Sequence, residues 1–170
     1  MHIIQSERLL LRELRPSDVP ALVELLATPA VMRWLFAGVT LDRDDAMTFI
    51  QRDFTFGKAP FGLGVLVLRE TGEAIGFAGL LTYRRLGAED FEFGFTLRES
   101  AWGQGYATEI GRVQIAYGFG ELGAERLLAL VHPENKNSRK ALEKIGMRLF
   151  REIGTHDRGP RCVYIIDCPS

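Results

Sequence analysis

Hydrophobic and polar positions recur along this chain with two different periods, and the change of period marks its elements. Phe91, Phe93, Phe95 and Leu97 alternate with Glu92, Gly94 and Thr96, the period of two that predicts a strand. From Ala107 onward, Ile110, Val113, Ala116, Tyr117 and Gly120 keep helical spacing, and Gly120 and Gly123 close that helix. Ser138, Ala141, Leu142 and Ile145 stand at i, i+3, i+4 and i+7, which predicts a helix over 136–145 with Gly146 just past its end.

The same reading covers the rest of the chain. Arg8 to Leu14 is a short apolar strand. Ser17 is a plausible N-cap for a helix whose inward face is Ala21, Leu22, Leu25 and Leu26, stopped at Thr28-Pro29. Pro29 to Phe36 has the pattern of a second short helix, and Thr40 or Asp42 caps a third, with Ala46, Phe49, Ile50 and Phe54 on one face. Phe61 to Arg69 and Glu73 to Leu81 form a hairpin about Thr71-Gly72. Arg126 to Val131, Met147 to Gly154 and Arg161 to Asp167 are the remaining strands. The predicted order is β-α-α-β-β-β-α-β-α-β-β, a mixed α/β sheet with helices on both faces, in one domain spanning residues 1–170.

Composition narrows the class. A net charge of −1 argues against a general binder of nucleic acid or of membrane surfaces. No apolar run approaches the ~20 residues that span a bilayer, and the N-terminus lacks the pattern of a signal peptide. Cys162 and Cys168, six positions apart in a strand, would lie ~20 Å from each other, too far for a disulfide. They read as reduced thiols in a cytoplasmic protein.

Between the central strand and its helix lies Trp102-Gly103-Gln104-Gly105-Tyr106-Ala107. Such a loop aims successive backbone N–H groups at one point, and the helix start adds partial positive charge there, which makes a phosphate cradle. A tight turn without a ligand has the same residues. The lysine of a nucleoside-triphosphate loop is absent, since Tyr106 follows Gly105, and a dinucleotide GxGxxG is incomplete at Thr108.

Two side chains stand out chemically. Ser138 shares the inward face of the last helix, so its hydroxyl needs either a local backbone carbonyl or a group in a cleft. Glu92 faces away from the Phe91, Phe93, Phe95 row; beside a covered cleft it is a candidate general base, and on an open face it is a solvated carboxylate. Lys136, Arg139, Lys140 and Lys144 lie on the outer and flanking faces of the last helix, where they are either solvated or placed to meet phosphates. His132, alone before Pro133, reads as a loop residue. No His, Cys and carboxylate set has metal-ligand spacing, so no metal is expected, and no GxSxG or Cys/His signature marks a covalent nucleophile.

Four segments occur together in order: ERLLLRELRPSD, IGFAGL, WGQGYATE and HPENKNSRKALEKIGM. In this combination the chain, from about Ser6 to Asp167, resembles the GCN5-related N-acetyltransferase (GNAT) superfamily, and within it the RimJ/RimL-like branch of ribosomal-protein acetyltransferases. The resemblance implies a mostly antiparallel central sheet of about seven strands. It implies acetyl-CoA as donor and a primary amine as acceptor, either a protein or peptide N-terminus or a small molecule. The family's diphosphate loop falls on Trp102, Gly103, Gln104, Gly105, Tyr106, Ala107 and Thr108, with Trp102 where Gln or Arg is usual. The resemblance also implies that the pantetheine arm pairs along Phe95, Thr96 and Leu97, with Asn135 on that arm and Ser138 near the sulfur. Glu92 is then the expected base, Ser138 the expected donor to the thiolate, and Tyr106 its reserve. Met32, Trp34 and Phe36 would wall the acceptor pocket, and Arg84 with Arg85 would meet an acidic group on the acceptor. A non-catalytic acetyl-CoA sensor and a nucleotide-binding module are the competing readings, and the chain is expected as a monomer or homodimer.

Overall fold

A computed structural model describes residues 1–170. One eight-stranded sheet runs through the molecule in the order β1-β2-β3-β4-β5-β6-β8-β7. The strands are β1 (Ile4–Gln5), β2 (Leu9–Arg12), β3 (Gly62–Leu68), β4 (Ala74–Tyr83), β5 (Asp90–Leu97), β6 (Arg126–Val131), β7 (Arg148–Thr155) and β8 (Gly159–Asp167). Every neighbouring pair is antiparallel except β5 and β6. The strand beyond the expected seven is β1, whose two residues are too short to show a period.

The helices are α1 (Val19–Leu26), α2 (Pro29–Met32), α3 (Arg43–Asp53), α4 (Tyr106–Gly120) and α5 (Lys136–Lys144). They divide the core between the two faces of the sheet. Leu22, Leu26, Met32, Phe49 and Ile50 from the first three helices pack on Val65, Val67 and Phe77. Ile110, Ile115 and Leu142 from α4 and α5 pack on Leu80, Phe93, Leu127 and Ala129 on the other side. No helix is long and apolar enough to cross a membrane. Both cysteines are free, Cys162 buried and Cys168 exposed.

Two local expectations are corrected, for Ser17 and for the inward face of α4, and one pair of alternatives is decided. Ser17 caps nothing: Pro16–Asp18 is a short 3-10 turn, and the buried Asp18 carboxylate accepts from the Arg15 N–H and both terminal nitrogens of Arg12. The third helix is capped by Asp42, whose Oδ1 accepts from the Asp45 N–H at 2.8 Å, and Phe54 lies just beyond it. The inward face of α4 is Tyr106, Ile110, Gly111, Gln114, Ile115 and Gly118, rotated from the expected one, because Gln114 is buried with its amide bonded to the Gly94 carbonyl. Ala116 and Gly120 are exposed. At the end of α5, Gly146 (φ 94) turns the chain so that the Met147 N–H reaches the Leu142 carbonyl at 3.1 Å.

Candidate active site

β5 and β6 form the only parallel junction, and they are paired only at Phe91–Leu127 and Glu92–Leu128. Beyond those residues the strands part. The Arg98 N–H donates to the Ile75 carbonyl of the neighbouring chain segment, so strand alternation turns the main-chain groups of Phe93, Phe95 and Leu97 away from β4. They face the gap that β6 has left. A cavity of about 490 Å³ fills this gap, floored by the ends of β5 and β6 and walled by the starts of α4 and α5. Trp34 and Leu35, just after α2, close one end.

The loop 102–105 enters the cavity with Gly103 and Gly105 both at positive φ, 72° and 81°. Side chains avoid that conformation, and a Cβ on Gly103 would meet only open space. Gly105 is the N-cap of α4 and brings no side chain to cap it. The first helical bond is the Glu109 N–H to the Gly105 carbonyl, so the N–H groups of Gly103 through Thr108 have no acceptor within the protein. Six consecutive unpaired donors at the positive end of a helix are suited to an anion. Arg8 braces them: its Nη1 donates to the Gln104 carbonyl at 3.0 Å, and its guanidinium lies 4.5 Å from the Tyr106 ring centre. Glu109 in turn holds Arg8 and Ser6. Burial disfavours the Glu109 charge, but the hydrogen bonds from Ser6 and Arg8 outweigh it and hold this carboxyl below its ordinary range. The only charged side chains on the cavity wall are Lys140 and Lys144. Of the other α5 cations, Lys136 lies off the wall, and Arg139 is taken up by the Tyr164 hydroxyl and the Pro133 carbonyl.

Most residues expected at the cofactor half converge here. Phe95, Thr96, Leu97, Trp102, Gly103, Gly105, Tyr106, Ala107, Thr108, Asn135 and Ser138 all line the cavity. Thr96 contributes differently from its neighbours, since its own main-chain groups face β4. The Trp102 indole N–H donates to the Leu97 carbonyl at 2.8 Å, which occupies one acceptor of the strand edge. Gln104 lies off the wall, with its amide on the Ser100 carbonyl. Asn135 caps α5 through its side-chain oxygen, leaving its NH₂ group free. The Ser138 hydroxyl has no hydrogen-bond partner in the protein, so the local backbone bond open to a helix-start serine is not made; the Tyr106 hydroxyl has none either.

The acceptor half departs further from expectation. Trp34 lines the cavity, its ring 4.8 Å from that of His132. Met32 is fully buried among the helices, and Phe36 packs edge-on against Phe49. The reason is length: α2 is a single turn, so Met32 ends it facing the sheet while Trp34 swings to the cleft. Arg84 is exposed and paired with Glu89, outside the cavity. Glu92 is half-buried beside Phe93, and both its oxygens are held by Arg158, at 2.7 and 3.2 Å. Burial disfavours the Arg158 charge, but the Glu92 hydrogen bonds more than offset this and raise its pKa. No reading of the sequence singled out Arg158, Arg161 or Gln114. The first two sit in and after a polar hairpin tip, THDRGPR, whose local pattern shows only a turn.

Comparison with known proteins agrees with this geometry. An acetyltransferase (GNAT) domain model matches residues 8–148. The chain is 31% identical over 148 residues, 87% of this chain and 83% of the other, to a Bacillus subtilis (strain 168) protein called uncharacterized N-acetyltransferase YnaD. The crystal structure of a GNAT-family acetyltransferase from Bacillus anthracis superposes with a TM-score of 0.83 at 24% identity, covering 98% of both chains. A RimL ribosomal L7/L12 α-N-protein acetyltransferase in complex with coenzyme A superposes with a TM-score of 0.79 at 17% identity, also over 98% of both chains. With the domain match covering most of its length and the splayed sheet and glycine loop in place, the chain belongs to the GNAT family of acetyltransferases.

Proposed function

We propose that this acetyltransferase takes its acetyl group from acetyl-CoA and passes it directly to a primary amine, the N-terminus of a protein or peptide or a small-molecule amine. The observation that carries the reading is the run of unpaired N–H groups from Gly103 to Thr108 at the mouth of the β5–β6 gap. The residues fit coenzyme A: the N–H run suits a diphosphate, Lys140 and Lys144 suit a further phosphate, and the free edge of Phe95 suits the amides of a pantetheine arm.

Acetyl-CoA supplies an activated acyl thioester. An amine attacks a thioester only when neutral, and an alkyl ammonium has a pKa near ~10. Glu92 takes the amine proton, directly or through one water. The new bond joins nitrogen to the acyl carbon, and the carbon–sulfur bond breaks. The Phe95 N–H is the donor for negative charge developing on the acyl oxygen. Its peptide plane is held from behind, because Gln114 Nε2 donates to the Gly94 carbonyl of the same unit at 3.2 Å. Ser138, with Tyr106 in reserve, gives a hydrogen bond or proton to the departing sulfur. No covalent enzyme intermediate is formed.

The test is thiol release from acetyl-CoA against a panel of peptide N-termini, polyamines, aminoglycosides and amino acids. Release with at least one amine is expected. Binding heat from acetyl-CoA with no release on any of them would favour a sensor, and stabilisation by ATP or NAD but not by coenzyme A would favour a nucleotide-binding module. Gly105→Val checks the cradle itself. A β-branched residue at φ 81° is strained by about 1–2 kcal/mol or more, so coenzyme A affinity is expected to fall about tenfold, read by calorimetry. Unchanged affinity would remove the loop from the binding site.

A further inference from the structure

Behind the Trp34 end of the cleft, off the cavity wall itself, lies a guanidinium that no carboxylate matches. Arg161 is 3% exposed and in ion-pair contact with no carboxylate. Its guanidinium donates instead to the main-chain carbonyls of Pro160, Trp34 and Phe36, at 2.9, 3.4 and 2.9 Å. Phe36 adopts φ 46°, an uncommon conformation for a bulky residue, so the segment that closes the cavity is held in a strained form by a buried cation. Next to Arg161 lies Arg158, and burial together with the Arg158 charge lowers the pKa of Arg161. The half-buried Glu92 is engaged by Arg158 alone, and Asp157 is exposed and engaged by Arg85. A buried guanidinium without a carboxylate is costly unless an anion arrives to match it.

Glu92 has its own difficulty. Both its oxygens accept from the Arg158 fork, which engages one lone pair on each and holds the carboxylate to the guanidinium rather than to an incoming ammonium. The two observations have one resolution. We propose that the acceptor is an amine that also carries a carboxylate, and that Arg158 selects it by exchanging Glu92 for the acceptor's carboxylate. The inference rests on the acetyltransferase reading. Arg158 is suited to the exchange: its side chain is 27% exposed, it stands on the β7–β8 hairpin turn, and its planar fork already grips a carboxylate. Arg161 is too buried to touch the acceptor and keeps the site positive from behind. After the exchange Glu92 is free to receive the ammonium proton, so only an acceptor bearing the anion assembles the base. Arg84 and Arg85, expected from the sequence to meet such a group, are held by Glu89 and Asp157 at the surface.

The test compares matched acceptors in the full-length protein with acetyl-CoA. Glycine, alanine and phenylalanine are each set against their amides, and amidated peptides beginning Ala-Asp against those beginning Ala-Asn. The carboxylate member of at least one series is expected to have kcat/KM higher by about tenfold or more. The amino-acid series would then indicate a small acceptor, and the peptide series an acidic N-terminus. In Arg158→Gln the ratio is expected to fall close to one. No preference in either series, or a preference that survives Arg158→Gln, overturns the proposal while leaving acetyl transfer itself standing. A binding arm is independent of turnover: N-acetyl amino acids and their amides are titrated calorimetrically into the protein with coenzyme A. Acids that bind no tighter than amides contradict the inference, whereas tighter, Arg158-dependent binding without thiol release would count against the acetyltransferase reading alone.

Discussion

Glu92→Gln is expected to lower kcat for acetyl transfer by about 10²–10⁴-fold, with the affinity for coenzyme A unchanged. The split between the two constants follows from position. Glu92 lies on the face of β5 opposite Phe93, off the wall that the loop and α5 build, so the cofactor half should not register its loss. The amide keeps an oxygen for Arg158, which preserves the contact between β5 and the β7–β8 hairpin. What disappears is the capacity to take a proton. The pH–rate profile should therefore differ between wild type and variant. An unchanged profile in the variant would remove Glu92 from the role.

Asp18→Ala is expected to destabilise the fold by about 3 kcal/mol, measured by denaturant titration. Arg12 and Asp18 are both buried, and the pair is bidentate at 2.8 and 2.9 Å. Removing the carboxylate leaves a buried guanidinium without its partner and the Arg15 N–H without its acceptor. The consequence is functional as well, because this pair ties β2 to the start of α1, and α1 and α2 carry the Trp34 end of the cavity. Burial pushes the Asp18 carboxyl up, but the hydrogen bonds from Arg12 and Arg15 outweigh it and hold its pKa below the ordinary 3.8. A depressed folded value means that the pair's contribution is fully present above pH 3.8 and is lost as pH falls through the folded value. The stability gap between wild type and Asp18→Ala should narrow with acid below that point. A gap that stayed constant would show that the ionised pair is not its source.

The parts of this molecule that were legible in the sequence are those with a local cause. The alternation across 91–97 is the strand Asp90–Leu97, and the 136–145 pattern is α5 with Gly146 at its end. The glycine loop was visible because only glycine accepts the two positive φ angles that turn its N–H groups into the gap. The face of α4 was misplaced because Gln114 reads as polar and outward, while its side chain is buried and its NH₂ group donates to a strand carbonyl 20 positions away. Met32, Trp34 and Phe36 looked equivalent; a one-turn helix sent each in a different direction. The Arg158–Glu92 pair spans 66 positions and leaves no spacing to read. Long-range pairing of charges decided the acceptor side, and that is where the sequence reading and the structure part most.

The central claim is that coenzyme A lies with its diphosphate on the N–H groups of Gly103 to Thr108 and its sulfur between β5 and β6. A crystal soaked with coenzyme A tests it most directly. The account expects diphosphate oxygens within hydrogen-bond reach of those N–H groups and the sulfur beside Ser138. Coenzyme A bound elsewhere, or a gap filled by the protein's own side chains, would contradict it.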